Sequence, residues 1–276
     1  MNITQNKGYS IEVLVSTTNR SSLNFLYEMF KNNDISKCHV LVINQTTPKN
    51  LLTSNFKNIR IINSYEKGVS KSRNLAINNA KGDICLIADD DVVFLKNFIS
   101  KINNAYLETK ADLICFKTLT TIGDPYSNYP NKISSLRRFY RKVLSIEITF
   151  NLKVLKENKL SFDEYFGLGS VFQDGENRIF LRNALNKHIT SIFYPEYIVK
   201  HKPYSSSDEM DSDRFIFARS ALNYKLFGTI AYLYPIKHVV GITIRGLIHV
   251  SSIFSKLKAG YKGISTYKNI VKKNDE

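Results

Sequence analysis

Three adjacent carboxylates, Asp89, Asp90 and Asp91, follow directly on the apolar run of residues 84–88, ICLIA. Side by side they repel one another, and binding a hard divalent cation relieves that repulsion. A cation held there could also bridge the diphosphate of a nucleotide. The competing explanation is a solvated acidic turn opening a helix, where carboxylates favour the positive end of the dipole.

Such a triplet needs a strand that delivers it to a binding edge, and open α/β sheets bind ligands outside the carboxyl ends of their strands. Residues 11–16 (IEVLVS), 38–43 (CHVLVI) and 59–62 (IRII) read as three further buried strands, the first followed by the polar loop Thr17-Thr18-Asn19-Arg20 and a helical pattern over residues 23–30. A helix is expected over residues 70–80, with Ser70 as cap and Leu75, Ala76 and Ala80 near one face, and Lys81-Gly82-Asp83 then turns into the acidic strand. Alternating strands and helices through about the first hundred residues predict parallel βαβ units. Downstream, residues 111–117 and 146–150 read as strands, 121–134 as a long loop, and 152–158 and 176–185 as helices.

The segment GVSKSRNLAINNAKGDICLIADDDV, residues 68–92, resembles the signature of family 2 glycosyltransferases: a glycine, an Arg-Asn pair on a helix, a Gly-Asp turn, an apolar strand and an acidic DxD-type motif. The resemblance runs from about residue 11 to residue 201. It implies a GT-A fold, a Rossmann-like mixed α/β sheet flanked by helices, and transfer of a hexose from a nucleotide-sugar donor, a UDP-sugar in the first instance, with inversion. It also implies a divalent metal, Mn2+ or Mg2+. Carried over by position, Asp91 is the principal metal ligand, Asp89 lies close to the ribose or the metal, and Asp90 assists. Thr17, Arg20 and Arg73 face the nucleotide. Asn44 stands where the family usually has an aspartate that contacts the base, and an amide retains both donor and acceptor capacity.

The stretch FDEYFGLGS, residues 162–170, followed by Gln173-Asp174-Gly175-Glu176-Asn177, resembles the acceptor side of the same family, where a glycine-rich turn precedes an acidic pair at the start of a helix. Inversion needs a base for the acceptor hydroxyl, and the resemblance assigns it to Glu176 ahead of Asp174. Either carboxylate could instead cap the helix. Asn177 replaces the second acid. His201 occupies a position where related enzymes place a histidine near metal or diphosphate; a lone histidine also serves structure.

The chain of 276 residues carries 39 Lys and Arg against 24 Asp and Glu, a formal net charge of +15. Between residues 214 and 274 there are eleven Lys or Arg and no Asp or Glu. This divides the chain into a catalytic domain, 1–213, and a basic helical segment, 214–276. Within that segment Ile236, Val239, Val240, Leu247, Val250, Phe254 and Leu257 recur near helical spacing among Lys237, Arg245, Lys256 and Lys258, a pattern suited to an interfacial helix on an anionic membrane or to a helix packed on its own domain. With no leader pattern in MNITQNKGYS, no apolar run of about 18 residues, and three isolated cysteines, the expected setting is cytoplasmic and peripheral on the inner face of the cell membrane. The expected acceptor is a saccharide, lipid-linked, in surface-polysaccharide synthesis. Rival readings are a nucleic-acid-binding module, for which no motif is present beyond the basic, tyrosine-rich tail, a nucleotidyltransferase, and an inactive glycosyltransferase-like protein, prompted by the amides Asn44 and Asn177.

Overall fold

The computed structural model describes residues 8–203 and 209–275. The first seven residues of the opening segment lie outside that set. In chain order the elements are β1 (Ile11–Thr18), α1 (Asn24–Met29), β2 (His39–Gln45), β3 (Ile59–Ser64), α2 (Val69–Asn79), β4 (Ile84–Asp89), β5 (Val93–Phe94), α3 (Phe98–Thr109), β6 (Leu113–Thr120), β7 (Ser134–Ser135), β8 (Ile148–Asn151), α4 (Leu152–Glu157), α5 (Glu176–Asn186), β9 (Ser191–His201), α6 (Asp213–Phe227), α7 (Leu233–Ile244) and α8 (Ile253–Asp275). Those expected from the sequence are present with ends displaced by a few residues.

The described residues form two compact units, the first made of the chain up to Lys67, Lys71–Phe162 and Phe180–Pro203. Its nine-stranded sheet runs β3-β2-β1-β4-β8-β6-β9-β5, with β7 paired to β9. Strands β3, β2, β1 and β4 are parallel, whereas β8 is antiparallel to both β4 and β6. The sheet is therefore mixed, as expected. Successive residues of β1, β2 and β4 enter opposite cores: Val13, Val15, Val40, Val42 and Leu86 pack with α1 and α3, while Leu14, Leu41, Ile43, Cys85 and Ile87 pack with α2, α4 and α5. Burial on both faces explains why these strands read as continuous apolar runs without alternation.

Glu12 of β1 is a buried exception. Its carboxylate accepts from the Lys81 and Gly82 backbone N–H groups at 2.6 and 3.0 Å and from Arg60 at 2.7 Å. Burial opposes ionisation, but these bonds outweigh it and hold the carboxyl below the usual range. A Cβ on Gly82 would lie 2.7 Å from Glu12 Cβ. The Gly-Asp turn of the signature is thus a packing requirement, with Asp83 accepting from Ser10 N–H and Oγ.

The second unit comprises Gly68–Ser70, Asp163–Ile179 and the C-terminal part from residue 209. It therefore draws in the glycine-rich turn as well as the basic segment expected from residue 214. Its core is built from Phe166, Phe172, Ile179, Ala218, Ala221 and Leu222. Helices α6 and α8 approach so closely at Gly263 that a Cβ there would lie 2.1 Å from Phe217 O.

The tail is not one helix over residues 235–257. After α7 the chain stops at Gly246, φ 70°, where the Gly246 N–H reaches Thr243 O at 2.9 Å and the Leu247 N–H reaches Ile242 O at 3.0 Å. This is a Schellman stop, which a left-handed glycine accommodates without a Cβ clash. A 3-10 turn, Val250–Ser252, precedes the restart as α8. Of the residues expected on one exposed face, Val239 is buried, and Lys256 pairs with Asp213 at 2.9 Å. No helix among the described residues is long and apolar enough to cross a membrane.

Candidate functional site

The carboxyl ends of the parallel strands in the first unit bring Thr17, Arg20, Asn44 and the three aspartates to one edge. Strand register places Ser16 opposite Asp89 and Thr17 opposite Asn44, so the loop after β1, the end of β2 and the aspartates share that edge. His201 arrives from far along the chain because β5 runs antiparallel to β9, with Val93 opposite Lys200. Asp91 and His201 then meet just beyond those paired residues.

The three aspartates have different partners. Asp89 accepts from the Arg73 guanidinium at 3.1 Å and from Ser145 Oγ at 3.2 Å. Arg73 is 4% exposed, and its guanidinium lies over the Phe162 ring, 5.4 Å from the centroid. Arg73, expected to face the nucleotide, is buried behind Asp89 and pairs with it. Asp90 accepts from Thr17 Oγ1 and, at 2.7 Å, from Arg20 Nε. Thr17 and Arg20 thereby turn the β1 loop onto the triplet.

Asp91 Oδ1 lies 3.3 Å from His201 Nε2. The hydrogen bond between them holds Asp91 below the ordinary carboxylate range despite burial. The same bond lifts His201 above its ordinary value, against the opposing effect of desolvation. A carboxylate and an imidazole suit Mn2+, and Mg2+ commonly takes one or two carboxylates together with substrate phosphates. Asp91 and His201 are thus donor types that a divalent cation accepts, and here the two are joined to each other by a hydrogen bond. Asp89, expected as a second carboxylate ligand, already serves Arg73 and Ser145, and among the described residues no three His, Cys, Asp or Glu side chains converge on a metal position.

Asn44 is fully buried. Its Oδ1 accepts from Arg20 N–H at 3.1 Å, and its Nδ2 donates to Arg20 O and to Asn63 Oδ1, both at 3.0 Å. Instead of facing solvent where a base would stack, it braces the backbone of the loop. This gives a physical reason for the amide: a carboxylate could not donate to those two oxygens.

In the second unit, the turn before α5 is closed by glycines at positive φ, Gly167, Gly169 and Gly175. Val69 N–H donates to Leu168 O at 2.9 Å and Ser70 Oγ to Phe166 O at 2.6 Å, which ties the start of α2 to this turn. A Cβ on Gly167 would lie 2.7 Å from Val69 Cγ1 and 3.2 Å from Glu176 Cγ, so the glycines let the start of α2 lie close beside the base of Glu176. Asp174 forms an ion pair with Arg219 Nε. Burial raises the Asp174 carboxyl, the Arg219 charge opposes this, and the nearby Glu176 adds to the rise.

Several contributors escaped the sequence reading. Ser145 touches Asp89 from a 3-10 turn, Ser145–Glu147, whose last residue is entirely buried. Glu147 accepts from Tyr129 OH, from Thr118 Oγ1 at 2.9 Å and from Leu144 N–H at 2.9 Å. Burial pushes its carboxyl up to about 7 against the lowering effect of those donors. Nothing in the local pattern around residue 145 signals this, because its partners come from β6 and the long loop after it. Helix α3 did carry a signal, the stripe Phe98, Ile102, Ala105 and Tyr106.

Residues 12–188 match the family model described as glycosyl transferase family 2. Among solved structures, S. aureus TarS 1-349 in complex with UDP-GlcNAc superposes with a TM-score of 0.55 at 17% identity, over 81% of this chain and 66% of that one, just under two thirds of its length. S. aureus TarS 1-349 gives 0.54 at 14% identity over 94% and 91% of the two chains. Its complex with UDP gives 0.53 at 16% over the same shares. These likenesses establish the fold, which is GT-A. A search of curated protein sequences finds no match.

Proposed function

Because the chain belongs to glycosyl transferase family 2, we propose that it transfers a sugar from a nucleoside-diphosphate sugar, a UDP-sugar in the first instance, to a hydroxyl of a saccharide acceptor. The observation that carries this reading is the division of labour at the sheet edge. Asp89 and Asp90 are neutralised by the guanidinium groups of Arg73 and Arg20, while Asp91 pairs with the titratable imidazole of His201. The complexes of TarS with UDP-GlcNAc and with UDP support the choice of donor.

In this reading Asp91 and His201 hold the divalent cation, Mn2+ or Mg2+, which when bound neutralises charge developing on the diphosphate. Thr17 and Arg20 orient the nucleotide side through Asp90. Glu176 accepts the proton of the acceptor hydroxyl as the new O–C1 bond forms and the C1–O bond to the diphosphate breaks, which inverts the anomeric centre. The match of residues 175–181, GENRIFL, to the family pattern favours Glu176 over Asp174 for this role. The acceptor is a lipid-linked saccharide and the product a surface polysaccharide.

Calorimetric titration with UDP and GDP, with and without Mn2+, tests the donor site in wild type and Asp91→Asn. Metal-dependent binding of UDP, lost in the variant, is the expected result. Equal binding in both proteins would remove Asp91 from the metal site, and no nucleotide binding at all would remove the function.

A further inference from the structure

Helix α7 is apolar on both sides. Pro235, Val239 and Ile242 are buried in the second unit, as one face of any packed helix must be. The opposite stripe, Leu233, Ile236, Val240 and Ile244, falls at i, i+3, i+7 and i+11, where a surface helix ordinarily carries charge, yet all four are exposed, Ile244 to 81%. Beyond the Gly246 stop, Val250 and Phe254 are exposed too, Phe254 to 80%. Single exposed apolar residues are ordinary, but a contiguous stripe marks a surface that something covers.

Charge says what covers it. Lys237 is the one Asp, Glu, Lys or Arg in α7, Arg245 follows at its end, and both are exposed. Four of the eleven Lys and Arg of residues 214–274 pair with acids outside that stretch, Arg214 with Glu209, Arg219 with Asp174, Lys225 with Asp163 and Lys256 with Asp213, but Lys237 and Arg245 stand exposed on and beside the apolar helix, so a partner that is apolar beneath and anionic above meets both features. Twelve residues of helix extend about 18 Å, well short of the roughly 30 Å of a bilayer core. Such a helix lies in the interface plane with its basic side chains reaching the head groups.

We propose that the outer stripe of α7, continued by Val250 and Phe254, inserts into the head-group boundary of an anionic bilayer, with Lys237 and Arg245 setting the preference for negative lipid. This deepens the function proposed above by naming the surface on which its acceptor is met, and its test involves no nucleotide.

Co-sedimentation of the full chain with phosphatidylcholine vesicles, and with vesicles that also contain phosphatidylglycerol, decides it. The expected result is binding to the anionic vesicles only. Ile244→Asp combined with Phe254→Asp should weaken it about a hundredfold, at roughly tenfold per lost anchor. Lys237→Gln with Arg245→Gln should narrow the difference between the two vesicle types, again by about tenfold. Both pairs are solvent-facing, and unchanged circular-dichroism melts establish that the variants fold. Failure to bind either vesicle, or anionic binding indifferent to the Asp substitutions, overturns the proposal. So does lipid-free self-association in sedimentation equilibrium that the Asp pair abolishes, since the stripe would then belong to a second copy of this chain.

Discussion

The aspartate edge of the sheet and the outer stripe of α7 each concentrate one kind of side chain, and they differ in what answers it. At the edge, Asp89 and Asp90 are met at once by Arg73 and Arg20 from the same unit. On α7, the apolar side chains are left in solvent. The physical reason is the size of the two costs. Half-burying a carboxylate without a partner costs several kcal/mol, so the fold must supply the partner as it forms. Exposing an aliphatic side chain forfeits only about 1.5–3 kcal/mol of burial, and the protein stays folded until an external surface collects it.

The sharpest way to break the first half of this contrast is to treat two neighbouring aspartates alike. Asp91→Asn should lower turnover about 100- to 1000-fold, the scale for removing one electrostatic stabiliser of the leaving group, with only a small fall in the thermal melt from losing the half-exposed pair with His201. Asp89→Asn should lower both, because it removes the carboxylate from a partly buried ion pair with Arg73, at a cost of about 2 kcal/mol once the partial exposure of Asp89 is allowed for. Steady-state rates beside melts of both variants check this; equal loss of stability in the two would erase the distinction.

Glu147 sharpens the comparison from inside the fold, as a buried acid answered by hydroxyls and a backbone N–H instead of a cation. Its pKa is raised to about 7 from 4.5, so between those values the folded state holds a proton that the unfolded chain releases. Its contribution to stability is complete below pH about 4.5 and is lost as pH rises through about 7, a change of about 3 kcal/mol. Denaturant unfolding across that window should show stability falling with pH, and Glu147→Gln should flatten the slope. Because the same turn carries Ser145 to Asp89, the variant should also weaken nucleotide binding.

The smallest effect comes from Gly241, and a second glycine of the helical unit, Gly263, gives the opposite sign. Gly263→Ala places a Cβ against Phe217 O and should cost about 2–3 kcal/mol by forcing α6 and α8 apart. Gly241→Ala, in α7 with open space around it, should instead stabilise by about 0.5–1 kcal/mol through helix propensity. Urea unfolding distinguishes them by sign. A destabilising Gly241→Ala would mean that the outer stripe is already covered.

Local chemistry was enough to read the strand and helix order of the first hundred residues, the mixed α/β class, and the acidic strand end, because buried parallel strands write themselves as short apolar runs and Gly82-Asp83 marks the turn between them. Arg73, Thr17 and Arg20 were legible as candidates, though not as partners of particular aspartates. Arg73 illustrates the limit. Its type and helix were readable, but that it lies buried beneath Asp89 follows from the packing of α2 against Phe162, a residue distant in sequence. The tail was legible as basic and apolar, while the break at Gly246 was hidden because a glycine inside an apolar pattern reads as tolerated until its φ is known.

Composition and periodicity by themselves determined which segments are buried and where carboxylates gather, since both follow from neighbours a few positions away. Which carboxylate meets a guanidinium and which an imidazole was decided by long-range register: β1 beside β4 brings Thr17 and Arg20 to Asp90, and β5 against β9 brings His201 to Asp91. A carboxylate takes its role from whichever cation, hydroxyl or imidazole the fold places within about 3 Å, and that neighbour is rarely a neighbour in sequence.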